Sequence, residues 1–586
     1  MTTTRSGFTK LAAVCIAILL GAVVWELGWP LTRAEHEWSR LIAAVATLGH
    51  LTGILGSYFR KEINRPSLRL LIFQIISCLM IFLLIAREQQ EAGYMRFTEL
   101  SRLVITAGLI AIPTLMSLTR IFEWLVGKQK KGRPLMAPAM QFVASLGVVI
   151  LAGTGLLLLP NSTYPGITLS FTDALFTSTS AVCVTGLNAV DFAHTFTPLG
   201  EMFTLALIQI GGFGIMTFAY FVAMVAGQGF SLRDRVLLTD LLDEDNLGAV
   251  VSFITTIVVS TLFIELCGAV LLYFSWEGKD INLMGEPLWW HSLFHSVSAF
   301  CNAGFSTFPM NLMEPGIRLC YSGQAVIMAL IVCGGLGFGI YKEINSRLAN
   351  RFFSKHRRLH MQWTPYFKLV MISTGILLAG GALAIFAVSS PHAAEPLGEH
   401  LWICLFDSVT ARTAGFNISD YGRYLPAASL IMCGLMMVGG SPGGTAGGMR
   451  TTTCAIAGAE ILRILRGRDH VEFFRRRIDQ RTVARCVITV VVSCAWIGCF
   501  TVLICALEPS MSSLDIFFEN CSAFCYGRRV AGHYSRFKRS FQIPSYRQHA
   551  RRPRGAFRFS HCAGRHPYSE ALPLSIRQNP VNLNIP

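Results

Sequence analysis

Charge is what this chain has least of. Only 14% of its 586 residues are Asp, Glu, Lys or Arg, against 52% hydrophobic residues and a mean hydropathy of +0.50. That balance excludes an ordinary soluble domain, in which about a quarter of the residues are charged. Apolar runs of about twenty residues recur, each long enough to cross a bilayer as a helix. The 17 cysteines contain no Cys-x-x-Cys pair and lie mostly inside apolar runs, where cysteine acts as a small hydrophobe. Neither a metal framework nor a disulfide framework is implied. Acid is scarcer than base, and the net charge of +16 would suit nucleic acid, but its distribution excludes that partner. The last 61 residues hold twelve Lys/Arg against the single acid Glu570, which leaves +5 for the rest. Basic cytoplasmic loops account for such a remainder. The apolar run 11–30 carries Glu26 and ends without a small-residue cleavage site, so it reads as a retained first span.

Spans are expected at 11–30, 41–59, 69–86, 103–119, 139–160, 203–227, 249–275, 320–341, 366–389, 425–458 and 483–506. Basic clusters lie at Arg60–Arg69, Lys128–Arg133, Arg233/Arg235, Lys342–Arg358 and Arg463–Arg485. The positive-inside rule puts all five in the cytoplasm, together with an N-terminus carrying Arg5 and Lys10. Alternation then holds at every crossing.

What is abundant is one short phrase, repeated: Ser180-Ala-Val-Cys-Val-Thr-Gly186, Ser298-Ala-Phe-Cys-Asn-Ala-Gly304, Thr410-Ala-Arg-Thr-Ala-Gly415 and Ser522-Ala-Phe-Cys525. The copies start 118, 112 and 112 residues apart, and all fall on the outer side of the topology above. A phenylalanine (Phe176, Phe294, Phe406, Phe518) precedes each glycine position by nine or ten residues. Fixed spacing means four copies of one unit: span, short helix, glycine turn, span. The segments 172–183, 289–301, 400–411 and 513–524 are too short to cross, and Asp173, Trp289/Trp290 and Asp515 mark their starts. An acid suits a helix N-terminus, and four such helices would aim their negative C-terminal ends at one point, favouring a cation.

The expected filter residues are Val184, Thr185 and Gly186, Asn302, Ala303 and Gly304, and Thr413, Ala414 and Gly415. Glycine opens backbone conformations that turn successive carbonyls to an axis, and rings of carbonyls replace an ion's hydration shell. No carboxylate lies among these residues, so a monovalent ion fits better than a divalent one. Arg412 braces the third turn or is a solvated outer charge. Glu265 is the main acid inside a span: a functional group, a hydrogen-bonded structural acid, or the sign of a misjudged span boundary. His291 and His295 read as polar groups near a helix start rather than catalysts.

Further glycine clusters follow the first three phrases at Gly211–Gly214, Gly334–Gly339 and Gly439–Gly448. In the first two, close helix packing is the preferred reading. The third holds six glycines and Pro442 in ten residues, cannot sustain a helix, and should border water. Gly439-Gly-Ser441-Pro442-Gly443 also matches the Gly-x-Ser-x-Gly hydrolase pattern, but neither strand nor neighbouring His supports an intramembrane serine hydrolase.

These phrases resemble the Trk/Ktr/HKT superfamily of potassium uptake proteins, specifically its bacterial TrkH/KtrB pore subunits, over about 139–525. The resemblance implies an all-α polytopic membrane protein in which one chain supplies four pore hairpins around a potassium-selective filter. It implies a homodimer in the bacterial inner membrane, gated by a cytoplasmic TrkA/KtrA-type nucleotide-binding subunit. No cofactor is expected in this chain: potassium is cargo, and nucleotide belongs to the partner. It also implies an intramembrane gate formed by Gly439, Gly440, Ser441, Pro442, Gly443, Gly444, Thr445, Gly447 and Gly448. An ion-coupled K⁺/Na⁺ or K⁺/H⁺ symporter is the alternative within transport. The expected organisation is a four-helix extension over 1–138, pore repeats at 139–235, 236–350 and 351–470, a partial repeat at 471–525, and a basic tail at 526–586.

The fourth repeat departs from its pattern after Cys525. Its glycine position holds Arg528, followed by Arg529, and no apolar span follows. Read one nucleotide later, Tyr526–Tyr534 permits Thr-Val-Gly-Val-Ser-Leu-Gly-Ile-Thr, a filter segment with its glycine at position 528. His549–Ala556, shifted likewise, permits Met-Leu-Val-Gly-Arg-Val-Gly-Pro. A frameshift near codon 525 is therefore expected, together with poor conduction by the chain as written.

Overall fold

The computed structural model describes scattered residues between 14 and 52, and residues 138–214, 250–353, 363–389, 396–420, 424–474 and 476–525. Contacts divide the chain into Met1–Lys538 and Arg539–Pro586. The expected spans 69–86 and 103–119, Arg528 and the tail lie outside the described residues, as do the basic clusters at 60–69, 128–133 and 233–235.

Each unit opens with a long apolar helix: α1 (Pro138–Leu157) in unit one. A short helix follows, α2 (Phe171–Val182), and then a second apolar helix, α3 (Pro198–Phe213). Unit two repeats this order with α4 (Val250–Trp276), α5 (Leu288–Phe300) and α6 (Tyr321–Leu336), the last continued after a break as α7 (Phe338–Phe353). Unit three has α8 (Pro365–Val388), α9 (Leu397–Thr410) and α10 (Pro426–Val438), then α11 (Thr451–Leu465). Unit four has α12 (Gln480–Leu507) and α13 (Ser513–Phe524). The strands Glu472–Phe473 and Arg476–Arg477 form an antiparallel pair between α11 and α12.

The first, second and fourth short helices start within one residue of the expected positions, and the third starts three residues early, at Leu397 after Pro396. Ser170 caps α2 by accepting from the Asp173 amide at 3.1 Å, and its hydroxyl returns a bond to the Asp173 carboxylate at 2.8 Å. Both interactions satisfy groups that a helix N-terminus leaves open. Asp515 occupies the first turn of α13. Each long helix packs on the short helix after it: α1 on α2, α4 on α5, α8 on α9 and α12 on α13. The closing helix of a unit also touches the short helix of the next: α3 with α5, α6 with α9, α10 with α13.

One contact recurs at atomic level. An added Cβ at Gly153, Gly268 or Gly381 would fall 2.5 Å from Ser178 Oγ, Ser296 Oγ or Ser408 Oγ respectively. It would also fall within 3.0 Å of methyls of Leu207, Leu330 or Leu435. These serines donate back across the interface, to Ile150 O at 2.7 Å, Glu265 O at 2.6 Å and Leu378 O at 2.8 Å. Glycine thus admits the short helix, and a hydroxyl fastens it.

Two expectations need correction. The glycine clusters at Gly211–Gly214 and Gly334–Gly339 do more than allow close packing. α3 ends on Gly214 (φ 75°), and α6 breaks at Gly337 (φ 91°), where α7 leaves at 94°. Both breaks shorten the second helices; among the described residues, the helices long and apolar enough to cross a membrane are Phe253–Trp276, Pro365–Val388, Gln480–Leu507 and the bent pair Tyr321–Leu336 with Phe338–Leu348. Close approach holds as well, since an added Cβ at Gly211 or Gly334 would run into Val182 O or Phe300 O.

Candidate functional site: filter turns and the strap beneath them

The three described glycine turns share one backbone. Val184, Asn302 and Thr413 have φ of 57°, 58° and 75°, and two residues on Gly186, Gly304 and Gly415 have 78°, 69° and 80°. A left-handed Val is sterically disfavoured, so its recurrence marks an imposed turn. The amides of Thr185 and Ala303 donate to the serines five residues back, at 2.7 and 2.8 Å. Ala414 donates to Thr410, four back, at 3.1 Å. The third turn is thus one residue shorter yet closes on the same phrase position, which explains the nine-residue spacing from Phe406. Ser298 Oγ and Thr410 Oγ1 then pin the exits, donating to Phe305 O at 2.8 Å and Phe416 O at 2.7 Å.

Turns two and three lie side by side. An added Cβ on Gly304 would fall 2.5 Å from Ala414 O and 3.0 Å from Gly415 Cα. Unit one is fastened to unit two through aromatic contacts, with the Phe192 ring 5.3 Å from that of Phe305 and 5.7 Å from that of Phe294.

The histidines of α5 are buried and hydrogen-bonded. His291 Nδ1 contacts Thr307 Oγ1 at 2.6 Å and its Nε2 contacts Leu283 O at 3.1 Å. His295 Nε2 contacts Ser306 Oγ at 2.9 Å. Both rings stack on Phe308, tying the helix to the chain leaving the second glycine turn. Arg412 is 3% exposed, which removes the solvated-charge reading, and its Nε and Nη1 have no hydrogen-bond partner among the described residues. Glu265 is also 3% exposed and hydrogen-bonded, so no misplaced span boundary explains it.

The segment Gly439–Gly448 is a non-helical strap between α10 and α11. It folds on itself, Gly440 donating to Gly447 O at 3.2 Å, and Gly439, Gly443 and Gly448 have φ of 61°, 70° and 79°. Its partners are the open end of α6. Ser441 and Thr445 amides donate to Gly335 O and Gly334 O at 2.9 and 3.1 Å, and Phe338 returns a bond to Gly443 O at 2.9 Å. Tyr366 donates to Pro442 O at 2.9 Å. Backbone groups freed by the break in α6 and by the strap thus satisfy one another.

The strap also touches the turns. Thr445 Oγ1 donates to Phe300 O at 2.9 Å and accepts from Asn302 Nδ2 at 2.8 Å, while the Gly447 amide donates to Thr413 Oγ1 at 3.1 Å. Asn302 Oδ1 is buried with no partner among the described residues. Ser441 is 1% exposed, and its hydroxyl contacts Thr451 Oγ1 at 3.2 Å. Buried in that contact, it does not stand out on a nucleophile elbow.

Comparison with known proteins accords with this arrangement. The family profile described as TrkH, cation transport protein, matches residues 107–526. The match begins before residue 139 and stops one residue after Cys525. The Ktr system potassium uptake protein B of Bacillus subtilis is 34% identical over 391 residues, covering 64% of this chain and 82% of that protein. The potassium/sodium uptake protein NtpJ of Enterococcus hirae is 32% identical over 407 residues, covering 68% and 86%. In fold, the crystal structure of the potassium transporter TrkH from Vibrio parahaemolyticus overlays with a TM-score of 0.50 at 16% identity, covering 80% of this chain and 92% of that one. An all-helical chain with these turns, matched over most of its length, belongs to the TrkH family of cation transport proteins.

Proposed function

We propose that this chain is the pore-forming subunit of a bacterial potassium uptake system. Main-chain oxygens of Val184–Gly186, Asn302–Gly304 and Thr413–Gly415 take the place of water around a monovalent cation. The observation that carries this reading is the shared turn: three left-handed residues, each followed two positions on by a left-handed glycine, with Gly304 against Gly415. Potassium is the ion named for the relatives in Bacillus subtilis, and potassium or sodium for the one in Enterococcus hirae.

The strap Gly439–Gly448 is the gate below the filter. Its hydrogen bonds to Phe300, Asn302 and Thr413 support a barrier coupled to the turns. The working unit is a homodimer in the inner membrane, N-terminus inside, with a cytoplasmic nucleotide-binding regulatory subunit, and the chain is a transporter and not an enzyme. Residues 526–586 do not supply a fourth turn. The family match ending at 526, and the arginines at 528 and 529, support a shifted reading frame there.

The test is growth and rubidium uptake in potassium-uptake-deficient cells on low potassium, with the chain as written and with the 526–586 frame restored. The restored chain is expected to support both, and the chain as written neither. Absence of rubidium flux from the restored chain overturns the transport reading. Equal flux from the two chains overturns the frame reading, as does resequencing that finds no insertion or deletion.

A further inference from the structure

One buried acid has no part in the filter as described. Glu265 sits within α4 at a position where the repeat elsewhere places aliphatic residues. The serine of the facing short helix donates to the main-chain oxygen of Ile150 in unit one, Glu265 in unit two and Leu378 in unit three. Two units therefore manage this interface without an acid, and helix association alone does not explain one. A carboxyl within a membrane helix is costly unless it is well paired, so its presence calls for a role.

The carboxyl joins three elements. Gln209 of α3 donates from Nε2 to Glu265 Oε2 at 2.9 Å. The Cys301 thiol lies 3.6 Å from Glu265 Oε1 and 3.9 Å from Gln209 Oε1. Cys301 is the C-cap of α5 and directly precedes left-handed Asn302. It is also confined from behind, because an added Cβ on Gly212 would overlap its sulfur. Cys183 and Arg412 hold the corresponding positions before Val184 and Thr413, without such a carboxyl.

We propose that Glu265, supported by Gln209, is a positioning residue for the second filter turn, holding the Cys301 side chain and through it the backbone of Asn302, Ala303 and Gly304. Resting on the transport reading above, this assigns cation preference to an acid that never touches the ion. The pair keeps turn two at a fixed place against turn three, where Gly304 meets Ala414 and Gly415. A shift of a few tenths of an ångström there changes the cavity available to a dehydrated ion.

The experiment uses the purified full chain with the 526–586 frame restored, in detergent, unfolded thermally across a series of KCl, NaCl and choline chloride concentrations. The parent is expected to be stabilised by K⁺ more than by Na⁺. Glu265→Leu should raise the half-saturating K⁺ concentration about tenfold and erase the preference over Na⁺, whereas Glu265→Gln, which keeps the shape and an oxygen to accept from Gln209 while its amide faces the Cys301 sulfur, should stay within about twofold. Alkylation of Cys301 by N-ethylmaleimide, read by peptide mass spectrometry, should be slow in the parent and Glu265→Gln and fast in Glu265→Leu. Should Glu265→Leu fail to fold, Gln209→Leu removes the same brace from the other side and carries the same expectations. An unchanged K⁺ titration with Cys301 still protected overturns the proposal. A parent with no cation-specific stabilisation overturns the filter reading instead, and Cys301 alkylation then decides the positioning role alone.

Discussion

Gly380 and Gly381 are neighbours in α8, and alanine should act oppositely at the two. An added Cβ on Gly380 meets nothing within 4 Å; on Gly381 it falls 2.5 Å from Ser408 Oγ and 2.9 and 3.0 Å from the two methyls of Leu435. Alanine at 380 restricts the unfolded chain and should stabilise by about 0.5–1 kcal/mol. Alanine at 381 shares that gain but displaces the Ser408 hydroxyl from Leu378 O, a loss of about 1 kcal/mol, and overpacks α8 against α9 and α10 at a cost of about 1–3 kcal/mol. The two variants should therefore differ by about 3 kcal/mol, read as a gap of several degrees in thermal unfolding. The same contacts surround Gly153 and Gly268, with Ser178 and Leu207, and Ser296 and Leu330. Gly153→Ala and Gly268→Ala should then cost the same as Gly381→Ala to within about 1 kcal/mol. Equal stability of Gly380→Ala and Gly381→Ala would refute the contact argument. A wide spread among the three equivalent variants would refute the repeat.

At Gly304, φ is 69° and an added Cβ falls 2.5 Å from Ala414 O; Gly304→Ala carries about 1–2 kcal/mol of left-handed strain besides the clash, and loss of K⁺-specific thermal stabilisation is the expected result. Thr445→Val removes the hydroxyl between Phe300 O and Asn302 Nδ2, freeing the strap from turn two. Rubidium uptake by the restored-frame chain should rise severalfold, and an unchanged or lower rate counts against the strap as barrier. Outside the spans, burial pushes the Glu286 carboxyl up to about 7, against the lowering effect of its hydrogen bond with Glu201. The folded state thus holds this proton more tightly than the unfolded one, so stability falls as pH rises from about 4.5 to about 7 and is level above. The partly buried position limits the change to about 1–2 kcal/mol, and Glu286→Gln should flatten the dependence of melting temperature on pH.

The short helices were legible because their boundaries are chemical and local. The expected segment 172–183 is Phe171–Val182 in the structure, and 289–301 is Leu288–Phe300, each started by polar groups or Pro and ended by its turn. The left-handed residues were not legible, since Val184 and Thr413 are β-branched and nothing local favours positive φ there. That conformation follows from the amide bonds that close each turn onto the start of its phrase. The breaks at Gly214 and Gly337 did carry a signal, the common spacing of all three glycine clusters, but only the third cluster held enough glycine and proline to forbid a helix by itself. What ends α6 is distant in sequence: Ser441, Gly443 and Thr445 of the strap take up the backbone groups that the break exposes.

The repeat separates scaffold from chemistry. The glycine–serine–leucine contact holds in the three units whose long, short and closing helices are all described, so it serves construction and says nothing about the ion. Chemistry should be sought where units differ while their backbones agree. Glu265 replaces Ile150 and Leu378, Arg412 replaces Cys183 and Cys301, and among the described residues the strap belongs to the third unit alone. All three exceptions adjoin turns two and three, the pair whose glycines touch. A symmetric ring of backbone carbonyls holds and selects an ion by itself; unequal side chains around it tune that preference and add control. Substitutions at the exceptions should therefore alter preference and flux, while those at Gly153, Gly268 and Gly381 should alter stability and leave the half-saturating K⁺ concentration in place.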